Sequence, residues 1–246
     1  VQKATRSERM KTELITNVSH DIKTPLTSII SYVGLLKSTS IADPTALEYI
    51  DVLEKKSKRL GQLMADLVEA SKVTSGNITV NLEPLNINEL IKQAGGEFEA
   101  RLEERHIQLL CRLPEEPVTV VADGRHMWRV LDNLFGNAVK YALDNTRVYV
   151  DLLDTENEAL ISIKNISQNA LNIPPEQLME RFVRGDSSRY TEGSGLGLSI
   201  GKSLMELQQG TMNIQIDGDL FKVVLCLRKA PTPPPPSDPP VVMSPA

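Results

Sequence analysis

The chain is predicted to be an α+β protein: an antiparallel helical hairpin, doubled in a dimer into a four-helix bundle, followed by an α/β sandwich. Three observations predict this. Apolar residues recur at steps of three and four through the first third of the chain. Short alternating runs with β-branched residues begin after Ser75-Gly76. Amphipathic stretches of helical period separate those runs.

The elements follow in order. Met10, Leu14, Val18, Ile22, Leu26, Ile29, Val33 and Leu36 form one helical stripe over about 1–38. The STSIADP segment (38–44) breaks it, and Asp43-Pro44 is a helix start with proline at the first helical position. Leu47, Ile50, Leu53, Leu60, Leu63, Leu67 and Val68 then repeat the stripe to about residue 73. Two helices cannot bury such stripes alone, which is the reason for expecting a second copy. Beyond Gly76, NITVNLEPLNI reads as a short strand and connection, and residues 87–105 as a helix. IQLLCRL (107–113) and VTVVAD (118–123) read as strands, and 125–142 as a helix. RVYVDLLD (147–154) and ALISIKNI (159–166) read as a strand pair, 174–194 as a long polar loop, 196–209 as a helix, and 211–217 and 220–228 as closing strands. Residues 231–246 hold eight prolines in sixteen positions and are expected to be extended and disordered. The expected division is a hairpin at 1–74, a linker at 75–82, the sandwich at 83–229 and the tail at 230–246.

Composition narrows the function. The net charge of −5 leaves no basic stripe to neutralise phosphates, so nucleic acid is not an expected partner. Cys111 and Cys226 lie in apolar alternating runs without metal-ligand spacing; a disulfide is compatible, and two buried strand thiols are the simpler reading. No run approaches the ~18 apolar residues of a membrane span, and no leader of secretory type is visible. The chain opens at Val1 inside a charged helical pattern, so it is expected to be a fragment with further sequence upstream.

Chemistry concentrates first in NVSHDIKTPL (17–26). At about 100° per residue, His20 lies away from the apolar stripe, with Thr24 one turn further on the same face and Asp21 flanking. A carboxylate accepting from Nδ1–H leaves the Nε2 lone pair free, which suits a nucleophile. Pro25 costs ~3 kcal/mol in an ordinary helix interior and permits a bend just past the histidine. A second cluster is Asn133 and Asn137, one turn apart on a predicted helix, with Lys140 on a nearby face. Amide oxygens together with water and phosphate oxygens satisfy Mg²⁺, and a lysine supplies a point charge on the same phosphates. A third is GSGLGLSI (193–200), where Gly193, Gly195, Leu196 and Gly197 open a helix whose N-terminus favours phosphate. His106 and His126 lack comparable surroundings and are expected at the surface; Trp128 is expected to pack.

NVSHDIKTPLTSII resembles the phospho-acceptor segment of the sensor histidine kinases of two-component systems. DNLFGNAVKYA (132–142), ERFVRGD (180–186) and GSGLGLSI resemble that family's asparagine, phenylalanine and second glycine boxes, in the family's order. The resemblance covers roughly residues 5–228. It implies Mg-ATP as substrate, His20 as acceptor, Asp21 as orienting base, and Thr24 as a residue that assists hydrolysis of a phosphorylated partner. It implies Asn137 as metal ligand, Asn133 and Lys140 at the phosphates, Tyr141 near the base, and Arg184 and Arg189 over the γ-phosphate. The implied partners are a second copy of the chain and a response-regulator receiver domain, with the whole protein anchored upstream in a bacterial cell membrane and this portion in the cytoplasm. One departure stands out. Where the family has an aspartate followed by glycines, this chain reads IKNISQNALNIP (163–174), with Asn165 in the aspartate's place and no glycine. A dimeric scaffold with a degenerate nucleotide site is the alternative reading.

Overall fold

A computed structural model describes residues 22–39, 41, 43–74, 78–171, 173–180 and 195–231. The first helix (α1) covers 22–38 of these residues, and α2 runs Pro44–Thr74. The start of α2 is built as its residue types require: Asp43 Oδ1 accepts from Thr45 N at 2.9 Å, and Pro44, which has no N–H to satisfy, takes the first helical position. Near the turn, Lys37 pairs with Asp51 at 3.2 Å and with Glu54, while Leu26 lies against Gly61 further up. These contacts fix an antiparallel hairpin with Thr24 toward the end where α2 finishes. Leu26, Val33 and Ile50 are buried between the helices. Ile29, Tyr32, Leu36, Leu53 and Leu60 remain exposed, so a single hairpin covers only part of its apolar stripe.

The second part has a five-stranded mixed sheet of order β2-β4-β5-β7-β6: β2 Gln108–Arg112, β4 Arg147–Asp154, β5 Glu158–Ile166, β6 Thr211–Asp217 and β7 Leu220–Arg228. Only β2 runs parallel to its neighbour; the other pairs are antiparallel, with Val150 opposite Ile163 and Ile163 opposite Val223 at the centre. A two-stranded ribbon pairs β1 Glu83–Asn86 with β3 Thr119–Ala122. Helices α3 Ile87–Glu103, α4 Gly124–Tyr141 and α6 Gly197–Leu207 form the covering layer, with α5 a single turn at Pro175–Leu178. Alternation explains the burial: in β5 Ala159, Ile161, Ile163 and Asn165 point to the helices, and Leu160, Ser162 and Lys164 away from them. α4 presents Met127, Val130, Leu131, Leu134, Phe135, Ala138 and Val139 inward, a full amphipathic stripe, and Phe135 stacks on Phe98 of α3 at 5.8 Å.

Strands 147–154, 211–217 and 220–228 match the sequence reading residue for residue. Other expectations need correction. The strand expected in NITVNLEPLNI is confined to Glu83–Asn86, because Asn81 and Thr79 are engaged by α4 instead of by a ladder. A short helix interrupts the polar loop at Pro175–Leu178. The cysteines are not two buried thiols: Cys111 is exposed because β2 is an edge strand, and Cys226 is half-buried on β7, three strands away. Burial, joined by Glu158, pushes the Cys226 thiol up to about 11. His126 is not a surface residue either. Its side chain is 17% exposed and its Nε2 lies 3.2 Å from the Thr79 carbonyl. His106 is exposed, at φ 55°, and Trp128 packs against the core.

Asp123 anchors the connection between the two parts. It caps α4 by accepting from Arg125 N and His126 N at 3.0 and 3.3 Å, and its other oxygen accepts from Asn81 N at 2.9 Å. Burial works to raise its pKa, but these backbone donors outweigh it and hold the carboxyl below its ordinary 3.8. A depressed carboxylate pKa contributes stability above the ordinary value and loses it as pH falls through the folded-state value. Asp123→Ala is therefore expected to cost about 0.5–2 kcal/mol near pH 7. That difference from wild type should shrink in urea melts below pH ~4; a pH-independent difference would contradict this account.

Candidate functional site

The candidate site is carried by α4, which meets the start of α6 along its length and the end of β5 at its C-terminus. Asn133 and Asn137 occupy the polar stripe of α4, both partly buried, while Lys140 is exposed in the last turn. Asn133 Nδ2 donates to the Gly197 carbonyl at 3.3 Å, which joins α4 to the α6 N-terminus. A Cβ at Gly197 would stand 3.4 Å from Asn133 Oδ1, so the two residues are in ordinary van der Waals reach of each other. Gly195 has φ 70°, a conformation other residues rarely adopt, and it turns the chain into α6. The N-cap residue is Leu196, which is buried and whose side chain carries no acceptor, so it does not cap the leading N–H groups of α6. Such a terminus suits phosphate oxygens.

The other end of α4 carries Tyr141 and meets β5. Ala142 bridges Ser167, Leu143 N donates to Ile166 O at 2.9 Å, and Gln168 N donates to Tyr141 O at 2.8 Å. These bonds set Tyr141 opposite Gln168, three residues beyond Asn165, the one polar residue at the end of an apolar inward row of β5. Asn165 is 5% exposed, and its Nδ2 donates to Ile166 O at 3.1 Å, so its amide nitrogen is already engaged. Arg105 holds this end together, a role the sequence reading missed. Its Nη2 donates to Ala142 O at 2.8 Å, its Nη1 to Val139 O, and its Nε to Asp144 at 2.7 Å. A cation on the last carbonyls also complements the helix dipole. The only sequence signal is an arginine after a helix end, which looks like any surface charge.

Of the expected site residues, Asn133 meets Gly197, Gly195 and Leu196 lead into α6, Asn137 and Lys140 lie further along α4, and Tyr141 and Asn165 lie on the two elements that join at the α4–β5 end. Thr24 is on α1, exposed. His20, Asp21, Arg184, Arg189 and Gly193 lie outside the described residues. Among the described residues no group of three or more His, Cys, Asp or Glu side chains is arranged to hold a metal. A cation here would need amide, water and phosphate oxygens, the donor set that Mg²⁺ accepts. No described helix is long and apolar enough to cross a membrane.

Two family models match the chain. Residues 10–76 match the His Kinase A (phospho-acceptor) domain, and 122–231 match the Histidine kinase-, DNA gyrase B-, and HSP90-like ATPase domain. Among curated relatives, Sensor protein VanSC of Enterococcus gallinarum is 30% identical over 86% of this chain and 59% of its own length. Sensor histidine kinase WalK of Bacillus subtilis is 30% identical over 84% of this chain and 35% of its own, and Sensor histidine kinase GacS of Pseudomonas protegens 27% identical over 93% and 26%. The chain therefore spans roughly a quarter to three-fifths of these relatives. The solved structure of full-length ShkA in complex with AMPPNP superposes with a TM-score of 0.75 at 22% identity, over 89% of this chain and 47% of that one, which shows a shared fold. The catalytic domain of histidine kinase ThkA superposes with a TM-score of 0.54 at 24% identity, over 61% of this chain and 96% of that one. With a phospho-acceptor domain preceding an ATPase domain of this type, the chain belongs to the sensor histidine kinases of two-component systems.

Proposed function

We propose that the chain is the catalytic core of a sensor kinase: it phosphorylates His20 from ATP and passes the group to an aspartate of a response-regulator receiver domain. The observation that carries this reading is the joint between Asn133 and Gly197, which sets an amide-bearing helix face beside a helix N-terminus that the side chain of Leu196 does not cap. The hairpin, 1–74, is the acceptor and dimerisation unit. Residues 75–82 form the linker, 83–229 the ATP-binding unit, and 230–246 a tail.

In the transfer step, the bond between the γ-phosphorus and the β–γ bridging oxygen breaks as the Nε2–phosphorus bond forms, and ADP leaves with that oxygen. His20 reacts through the Nε2 lone pair while its Nδ1–H donates to Asp21, so no proton need leave Nε2 beforehand. Lys140, Arg184, Arg189 and the α6 N-terminus offset charge on the phosphates. Mg²⁺, held by Asn137 with Asn133 nearby, would add neutralisation of phosphate charge when bound. Thr24 orients water for hydrolysis of the phosphorylated receiver. The exposed row Ile29, Tyr32, Leu36, Leu53 and Leu60 supports pairing with a second copy into a four-helix bundle. An anchor in a bacterial cell membrane, upstream of this cytoplasmic portion, completes the proposal.

Asn165 tunes the base pocket. With its Nδ2 turned to Ile166, its Oδ1 is the atom left to accept from the exocyclic amine of adenine. A neutral acceptor makes a weaker bond than a carboxylate by about 1 kcal/mol, or about five-fold in affinity. Asn165→Asp is expected to tighten ATP binding by about that factor in calorimetry, and weaker binding would contradict the assignment. The whole reading is tested by incubation with Mg²⁺ and ATP labelled at the γ-phosphate. Incorporation into the chain is expected; nucleotide hydrolysis without incorporation, or no nucleotide binding at all, would overturn it.

A further inference from the structure

Arg129 stands one turn before Asn133 and two before Asn137, so all three share one stripe of α4. Its guanidinium turns to the hairpin. Nη2 donates to Asp66 Oδ1 at 2.7 Å and Nε to Glu69 Oε2 at 2.9 Å, both on α2, while Nη1 reaches Asp132 Oδ2 at 3.1 Å. Asp66 is 6% exposed and takes a second bond from Gln62 Nε2 at 2.7 Å. Burial works against the charge on Arg129, yet Glu69 and Asp66 outweigh it and hold its pKa above the ordinary value. Alongside, Ala70 and Val73 of α2 face Ser199, Ile200 and Ser203 of α6 across one narrow gap. The same short stretch of α2 therefore holds both helices of the candidate site.

Such an arrangement has a physical meaning beyond stability. A largely buried ion pair gains little over apolar packing, because desolvation offsets attraction, but a planar fork satisfied on three nitrogens fixes one orientation. While the fork is made, the first turns of α6 are held against α2. Transfer needs the nucleotide at that terminus and the acceptor of the other helix to come into line, so the two parts have to move relative to each other. We propose that Arg129 is a positioning residue for phosphoryl transfer: its fork to Asp66 and Glu69 latches the ATP-binding unit onto α2, and the latch opens before the group is transferred. The rate consequence rests on the kinase reading above, whereas the docking consequence does not.

The test compares the whole chain with Arg129→Gln and with the Asp66→Asn, Glu69→Gln pair. Amide hydrogen exchange at 66–73 and 197–203 is expected to accelerate at least about fivefold, with β5 and β7 unchanged. Affinity for Mg-ATP should stay within about twofold, and kcat for self-labelling should rise at least about threefold with KM unchanged. Arg129→Glu combined with Glu69→Arg should restore slow exchange and the lower kcat. Unchanged exchange would overturn the latch, as would equal acceleration in the sheet, which marks a merely structural pair. Faster exchange with kcat unchanged or lowered would overturn its place in the reaction. A chain that takes up no label would fail the kinase reading and leave the latch to be judged by exchange alone.

Discussion

His20→Gln is expected to reduce label uptake from γ-labelled ATP by at least about 10³-fold while leaving nucleotide affinity within about twofold. The reason is chemical. An amide nitrogen has its lone pair delocalised into the carbonyl, so glutamine keeps the size and polarity of the side chain but not the nucleophile. The separation of the two readouts follows from the architecture. Asn133, Asn137, Tyr141 and Asn165 lie on α4 and β5 of the sandwich, whereas His20 lies in the sequence just before Thr24, in the part of the chain that leads into the hairpin. Parallel losses of labelling and of nucleotide binding would place His20 in the binding site instead.

Asn137→Ala is the second large effect, and it acts on the other half. Asn137 sits one turn beyond Asn133 on the same stripe of α4, and in the proposed site it is the residue that offers an amide oxygen to a cation at the phosphates. Its removal is expected to lower kcat/KM for self-labelling by about 10²–10³, a loss of ~3–4 kcal/mol of transition-state stabilisation. The fold should tolerate the change, because the inward stripe of α4 is made by Val130, Leu134, Phe135 and Ala138 and not by this residue. A melting temperature within a few degrees of wild type is the control. Labelling that persists at a tenth of the wild-type efficiency or more would remove Asn137 from the metal position.

Much of this fold is legible in the residue pattern. Strands with strict alternation, such as 147–154 and 220–228, announce themselves because one face meets the helices and the other does not. α4 is legible for the same reason at a period of 3.6, and its polar stripe carries the site asparagines. Contacts between distant residues are what the pattern hides. Nothing local marks Arg105 as the residue that holds the carbonyls of Val139 and Ala142, or Arg129 as the partner of Asp66, 63 positions away. His126 reads as a surface residue because its burial depends on Thr79 returning over the start of α4. Cys111 reads as buried because alternation alone does not distinguish a central strand from an edge.

The most direct measurement is the chemistry of the bond formed. After incubation with Mg²⁺ and γ-labelled ATP, the label on the wild-type chain should resist alkali, leave in mild acid, and reside in the peptide that contains NVSHDIKTPL. Such behaviour belongs to a phosphorus–nitrogen bond. Label that survives acid, or that resides in any other peptide, would contradict the claim that an imidazole on the hairpin receives the group held by the sandwich.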